Sequence, residues 1–176
     1  SLPIQLRKLG YETNYWYGGS LSHGNFNHFA PACGFNHSYS GTDICGAKAP
    51  RSWVGVYDHV FLNKVADMIQ ERSDDVPQFH FVYTTSNHGP YKMPLKDLGF
   101  DAKKIMNVQP DVLKEKIIQK ALGTFWYADR AINDFIQKMK EAYPDSLFIV
   151  TGDHGYKCPE LQHTSFMRRE YTFREL

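Results

Sequence analysis

Two short apolar runs, each ended by an abrupt polar turn, constrain this chain more than any other feature. Phe79-His80-Phe81-Val82-Tyr83-Thr84-Thr85 is aromatic and β-branched without strict alternation, and it stops at Ser86-Asn87-His88-Gly89-Pro90. Leu147-Phe148-Ile149-Val150-Thr151 has the same character and stops at Gly152-Asp153-His154-Gly155. Runs of this kind suit strands covered on both faces, which belong to parallel sheets flanked by helices. Helical periodicity lies between and before them. From close to Pro110 to just before Pro144, Ile117, Ala121, Phe125, Ala128, Ile132, Phe135, Ile136 and Met139 fall along one side of a long helix. Asp58 is placed to cap another, in which Phe61, Leu62, Val65, Met68 and Ile69 recur at steps of three and four.

Upstream, Pro3 and Gly10 bracket a short helix, and Tyr11-Glu12-Thr13-Asn14-Tyr15-Trp16-Tyr17 reads as a strand stopped by Gly18-Gly19. Residues 20–57 are punctuated by Gly and Pro and read mostly as loop, with a short helix near Phe26 to Cys33. The order helix, strand, helix, strand, helix, strand calls for right-handed crossovers. The expected fold is therefore α/β, a parallel sheet with helices on its faces. Residues 1–176 read as a single partial domain, because the first and last strands lack cover for their outer edges and the chain opens at Ser1 directly into a helical phrase. The 20 basic residues balance 19 acidic ones, so no long-range field favours nucleic acid. No apolar run reaches the roughly 20 residues needed to cross a bilayer. Cys33 and Cys45, both in a Gly-rich stretch, are either free thiols or a pair formed in an oxidising compartment, and Cys158 is expected to be unpaired.

In an open parallel sheet, ligands bind beyond the carboxyl ends of the strands. Three such ends arise here: after Tyr17, at Asn87-His88, and at Asp153-His154. A carboxylate next to an imidazole suits zinc or manganese, but two groups alone seldom complete a site. An Asp that caps the next turn beside a hydrogen-bonded His is the other reading of that pair. His88 either fills its turn or donates to an anionic oxygen of a phosphate or sulfate ester. His163 is a late ligand, a donor that supports the ligands from behind, or a solvated loop residue. His80 reads as a packed strand residue and His59 as a helix-surface residue, while His28 and His37 have no evident partner.

Ser86-Asn87-His88-Gly89-Pro90-Tyr91, Tyr127-Ala128-Asp129 in a long helix, and Ile149-Val150-Thr151-Gly152-Asp153-His154-Gly155 together resemble the sulfatase branch of the alkaline phosphatase superfamily. Leu6 to Gly19 and Trp53-Val54-Gly55-Val56-Tyr57-Asp58 with Phe61 extend the resemblance over nearly the whole chain. Lipoteichoic acid synthase-like phosphoglycerol transferases are the subgroup it is most similar to. The resemblance implies that Asp153 and His154 are metal ligands, that His88 contacts the ester, and that Asn25 and Asn27 lie in a substrate-contacting loop. It implies a divalent cation, manganese or zinc ahead of magnesium or calcium, and a Thr nucleophile and acidic ligand from residues preceding Ser1. It further implies a phospholipid or glycan head group as substrate and an extracytoplasmic setting, anchored to the membrane by segments outside this chain. A non-catalytic lipid- or glycan-binding module of the same fold is the alternative, against which the intact Asp153-His154 pair stands.

Overall fold

The computed structural model of the protein describes residues 1–72, 75–104, 114 and 116–154. Three parallel strands, β1 (Glu12–Tyr17), β2 (His37–Ser40) and β3 (Gln78–Tyr83), form a sheet in the order β2-β1-β3. The register pairs Trp16 of β1 with Tyr39 of β2 and with Val82 of β3. The helices are α1 (Leu2–Lys8), α2 (Phe26–Ala32), the short α3 (Gly41–Ile44), α4 (Asp58–Gln70) and the long α5 (Lys116–Ala142). The α/β parallel fold expected from the apolar runs is the one observed.

β1 is the hub because it is covered on both faces, and its side chains alternate between two different cores. Trp16 meets Phe61, Leu62, Val65, Ala66 and Ile69 of α4, and α5 adds Ala131 and Met139 to the same cluster. On the opposite face Tyr15 and Tyr17 pack with Ala30 of α2 and with Phe26, Phe35 and Tyr83. Stacked rings tie the strands laterally: Trp16 lies 4.0 Å from Tyr39 and Tyr15 lies 5.5 Å from Phe81, each pair in register across the sheet. Such cross-strand aromatic pairs are a main source of sheet stability. The chain thus leaves β1 for β2 by way of α2 on one face and reaches β3 by way of α4 on the other. That reversal at β1 opens a crevice beyond the carboxyl ends of β1 and β3.

Several expectations are corrected. The third strand is β2, from a stretch read as loop; its four residues, His-Ser-Tyr-Ser, are too few and too polar to stand out without β1 beside them. Leu147–Thr151 is not a strand: Leu147, Ile149 and Val150 are exposed, and among the described residues no strand edge pairs with the run. Only Phe148 packs toward the core, beneath Lys140. β3 is not buried on both faces either, since Phe81 remains 44% exposed at what is an edge of the described sheet. Phe125 of α5 is also exposed, whereas Tyr127 is buried. Asp58 does not cap its helix, which begins with Asp58 itself after Tyr57. His37 has a partner, the Glu12 carboxylate at 3.0 Å, which also receives Arg72 at 2.7 Å. Cys33 and Cys45 are free thiols. The expected start of α5 near Pro110, Cys158 and His163 lie outside the described residues.

At the carboxyl edge, backbone meets backbone around Gly18. Its carbonyl accepts from Val56 N at 2.9 Å, and its N–H donates to the Tyr83 carbonyl at 2.9 Å. A Cβ on Gly55 would stand 2.5 Å from the Gly18 carbonyl oxygen and 2.6 Å from Thr85 Oγ1; one on Gly41 would stand 2.4 Å from that carbonyl. Only glycine permits these approaches. At the interior of the sheet, Trp16 Nε1 donates to His80 Nδ1 at 3.1 Å, and burial, reinforced by the nearby Arg72 cation, pushes the His80 pKa down to about 4.

Two outcomes follow. Gly55→Ala should lower the stability of the intact protein by about 1–3 kcal/mol, the usual cost of forcing atoms into a packed site, read as a shift in the denaturant midpoint. His80 is held neutral in the fold but becomes protonated in the unfolded chain below an ordinary pKa of about 6.5. Its contribution is therefore complete above that value and is lost as pH falls toward about 4. Thermal unfolding across this window should show a shallower loss of stability for His80→Gln, which keeps an acceptor for Trp16, than for the parent; equal slopes would remove His80 from the account.

Candidate functional site

The crevice is built from three segments that converge at Gly18. The first is Gly18-Gly19-Ser20 after β1, the second is Thr84 to Gly89 after β3, and the third is Arg51 to Asp58, which runs between them. Two bridges fix the third segment, Gly19 with Gly55 and Arg51 with Val56. The Ser52 amide donates to the Gly55 carbonyl at 2.8 Å, which closes the segment into a tight turn and projects Trp53 outward. Trp53 is 62% exposed, yet its Nε1 donates to the Gly89 carbonyl at 3.3 Å and its ring meets the edge of His88 at 5.3 Å. His88 is itself exposed, and its Nδ1 lies 2.7 Å from the Gly89 carbonyl oxygen. Beside this pair an open cleft of about 410 Å³ is lined by Ser20, Ser22, Thr42, Arg51, Ser52 and Trp53. Hydroxyls, an aromatic ring and one cation in a single cleft suit a polar, anionic group.

Asp153 reaches the same edge through Tyr83, whose hydroxyl donates to Asp153 Oδ2 at 2.9 Å. Burial, with help from the Asp153 carboxylate, pushes the Tyr83 phenol up to about 12. The Tyr83 hydrogen bond, outweighing the small burial effect, holds the Asp153 carboxyl below its ordinary value, so it is ionised at neutral pH. His154 Nε2 lies 3.7 Å from Asp153 Oδ2, and both side chains are well exposed. Two donors this close and this accessible, one carboxylate oxygen and one imidazole nitrogen, fit a single divalent cation. They supply half of a four-coordinate shell; among the described residues no group of three or more His, Cys, Asp or Glu converges to complete it.

Asn25 and Asn27 both point to solvent at the start of α2, where Asn25 adopts a left-handed backbone at φ 61° and the Asn27 amide donates to the Leu21 carbonyl at 2.9 Å. Phe26 between them turns inward and packs on Tyr17 at 4.5 Å and on Tyr83 at 5.9 Å. Tyr83 thus joins the Asn25–Asn27 turn to Asp153 from below.

Tyr83 carries no mark in the sequence beyond its place in an aromatic run, and Trp53 none beyond its place in the segment Trp53 to Asp58; their contacts emerge only from the sheet order. Asp58 is the other residue whose role is missed. It is fully buried, and its Oδ1 accepts from the amides of Thr85 at 3.0 Å and Ser86 at 3.1 Å, while its own amide donates to Ser86 Oγ at 2.9 Å. Burial pushes its carboxyl up, opposed by these donated hydrogen bonds. Next to it His59 is half-buried rather than a surface residue. Its amide donates to the Tyr127 hydroxyl oxygen at 2.9 Å, and its Nδ1 lies 2.6 Å from the same oxygen. Burial pushes the His59 imidazole pKa down.

A family model described as Sulfatase matches residues 1–172. Among solved structures, the chain is similar to the lipoteichoic acid synthase LtaP from Listeria monocytogenes at 26% identity and a TM-score of 0.67, over 81% of this chain and 33% of that one. It is similar to a protein in the alkaline phosphatase superfamily from Vibrio parahaemolyticus at 25% identity and a TM-score of 0.58, over 80% of this chain and 31% of that one. The C-terminal periplasmic domain of EcEptC from Escherichia coli, solved in complex with Zn, shares the fold at 16% identity and a TM-score of 0.51, over 81% of this chain and 39% of that one. The chain therefore spans about a third of the length of the structures it matches.

Proposed function

Since this chain belongs to the sulfatase family, we propose that it is the central part of a metal-dependent phosphoglycerol transferase or sulfatase-like hydrolase that acts on phosphodiester or sulfate esters outside the cytoplasm. The observation that carries this reading is the exposed Asp153-His154 pair, with Asp153 hydrogen-bonded by the Tyr83 hydroxyl at the sheet edge where His88 also stands. The 26% identity to a lipoteichoic acid synthase, on a shared fold, favours transfer of a phosphoglycerol group over sulfate ester cleavage.

Asp153 and His154 would hold a divalent cation, with manganese or zinc preferred for a mixed oxygen and nitrogen donor set and magnesium or calcium as alternatives. When bound, the cation supplies neutralisation of charge on the ester and on an attacking oxygen. His154 must be neutral to bind, and Asp153 ionised. His88, exposed beside Trp53, presents an imidazole to the non-bridging oxygens of the ester, where a donated hydrogen bond gains strength from the charge it meets. The cleft of Ser20, Ser22, Thr42 and Arg51 takes the head group of a phospholipid or glycan, and Asn25 and Asn27 are its further contacts in this reading. In this reading the nucleophile, a Thr hydroxyl, and an acidic metal ligand come from residues outside these 176, and His163 supports the ligands. Anchoring to the membrane is assigned in this reading to segments outside these 176 residues; no helix among the described residues is long and apolar enough to cross one.

The test is made in the full-length protein. Asp153→Ala and His154→Ala should each lose bound metal and turnover together, by two orders of magnitude or more in rate. His88→Ala should retain metal and lose activity. Retention of metal by the Asp153/His154 double variant, measured by elemental analysis, refutes the ligand assignment.

A further inference from the structure

The Asp58 carboxylate is fully buried and accepts from two consecutive amides, and no step of the proposed chemistry uses it. We propose that Asp58 is a positioning residue: with Trp53 it forms a clamp that fixes the loop after β3, and so sets where the His88 imidazole stands. The inference rests on the reading of His88 as the ester-contacting residue, but the clamp is a matter of geometry alone.

The clamp grips the loop at both ends. At the near end, Asp58 Oδ1 accepts from two consecutive amides, Thr85 at 3.0 Å and Ser86 at 3.1 Å, and the Ser86 hydroxyl accepts from the Asp58 amide at 2.9 Å. These amides have just left the β3 ladder, and without an acceptor they would be buried donors with no partner, since Thr85 and Ser86 are only 6% and 4% exposed. The Thr85 carbonyl then accepts the His88 amide at 3.3 Å, so the turn that carries the imidazole closes on the clamped residue. At the far end, Trp53 Nε1 holds the Gly89 carbonyl, and the Trp53 ring abuts the imidazole itself. Gly55 makes the arrangement possible by letting the segment between Trp53 and Asp58 come within contact of Thr85 and Gly18. Tyr127 of α5 backs the clamp, because its hydroxyl engages His59 and Ser86 together and so fixes the first turn of α4.

Asp58 Oδ2 is buried and meets no hydrogen-bond partner among the described residues. A carboxylate left half-satisfied in the interior is costly, so its charge does not favour the fold. What it contributes is an oxygen at one point that two neighbouring amides share. An amide side chain keeps that oxygen and drops the charge, which separates the geometric role from an electrostatic one.

The full-length protein is the material, with two readouts: hydrogen exchange at the Thr85 and Ser86 amides, and turnover of bis(4-nitrophenyl) phosphate with manganese present. Asp58→Ala should speed exchange at both amides by about tenfold or more, the loss expected for charge-assisted hydrogen bonds, and should lower kcat by a similar factor with KM changed less. Asp58→Asn should restore most of both. In a His88→Ala background, Asp58→Ala should cost nothing further in kcat, a result that general destabilisation would not produce. If Asp58→Ala does not accumulate as folded protein, Ser86→Ala removes only the hydroxyl arm of the clamp and should give a smaller loss of kcat that also vanishes in the His88→Ala background. Wild-type protection of the two amides in Asp58→Ala, or an equal loss of kcat with and without His88, overturns the proposal. A His88→Ala enzyme with full turnover refutes the role given to His88, and the exchange data still decide the clamp.

Discussion

The Gly18 carbonyl is the point on which the carboxyl edge of the sheet depends. It belongs to the residue that follows the central strand, it accepts from Val56, and the backbone of two other glycines packs against it. This contact brings Arg51 to Asp58 across the top of the sheet, between the loop that follows β1 and the loop that follows β3. If the three segments stood further apart, Asp58 could not reach Thr85 and Ser86, Trp53 could not reach Gly89, and the cleft beside Trp53 would have no wall. The aromatic cores beneath hold β1 in place, and the glycine junction turns that rigidity into the position of the loops.

Accessibility divides the side chains of the edge into two sets. His88, Asn25, Asn27, Asp153 and His154 are exposed, as the roles proposed for them require. Asp58, Ser86, Tyr127 and most of Tyr83 are buried or half-buried and hold neighbours in place. Side chains that face solvent lose little entropy on folding but gain little precision, so their orientation has to come from packed groups behind them. Tyr83 does this for Asp153 with a single hydrogen bond, and the segment from Trp53 to Asp58 does it for the His88 loop with several.

The parts of the fold legible in the sequence are those whose signal is local. α1, α2, α4 and α5 announce themselves by periodicity and by Pro and Gly at their ends, and β1 by an aromatic run. β2 is invisible because a four-residue strand of His-Ser-Tyr-Ser draws its stability from pairing with β1 and from Tyr39 stacked on Trp16, neither of which is written in its own residues. The run at Leu147–Thr151 fails in the opposite sense, for it has the composition of a buried strand without a described edge to pair with. In the site, turns with unusual composition point to His88 and to Asp153-His154. Asp58 reads locally as a helix cap because a short acidic side chain before an amphipathic run ordinarily is one. Its real partners are 27 and 28 residues away, a separation no periodicity encodes.

Asp58 and Asp153 stand at one edge of one sheet and are driven in opposite directions. Burial raises the first carboxyl, while the Tyr83 hydroxyl lowers the second. The difference agrees with the roles proposed for them. A carboxylate in the interior, with both near amides already committed to one oxygen, has no free path to an ion and serves as a fixed acceptor. A carboxylate at the surface, hydrogen-bonded by a phenol that is itself too weak an acid to lose its proton near neutral pH, has its charge available and one side open to solvent. Tyr83 accomplishes this while its ring remains packed against Tyr17 and Phe26, so the same residue that closes the aromatic face also presents the metal-ligand candidate. The chemistry expected of this edge therefore rests on the sheet order itself, because only the parallel pairing of β3 with β1 brings Tyr83 level with Tyr17 and points its hydroxyl toward Asp153.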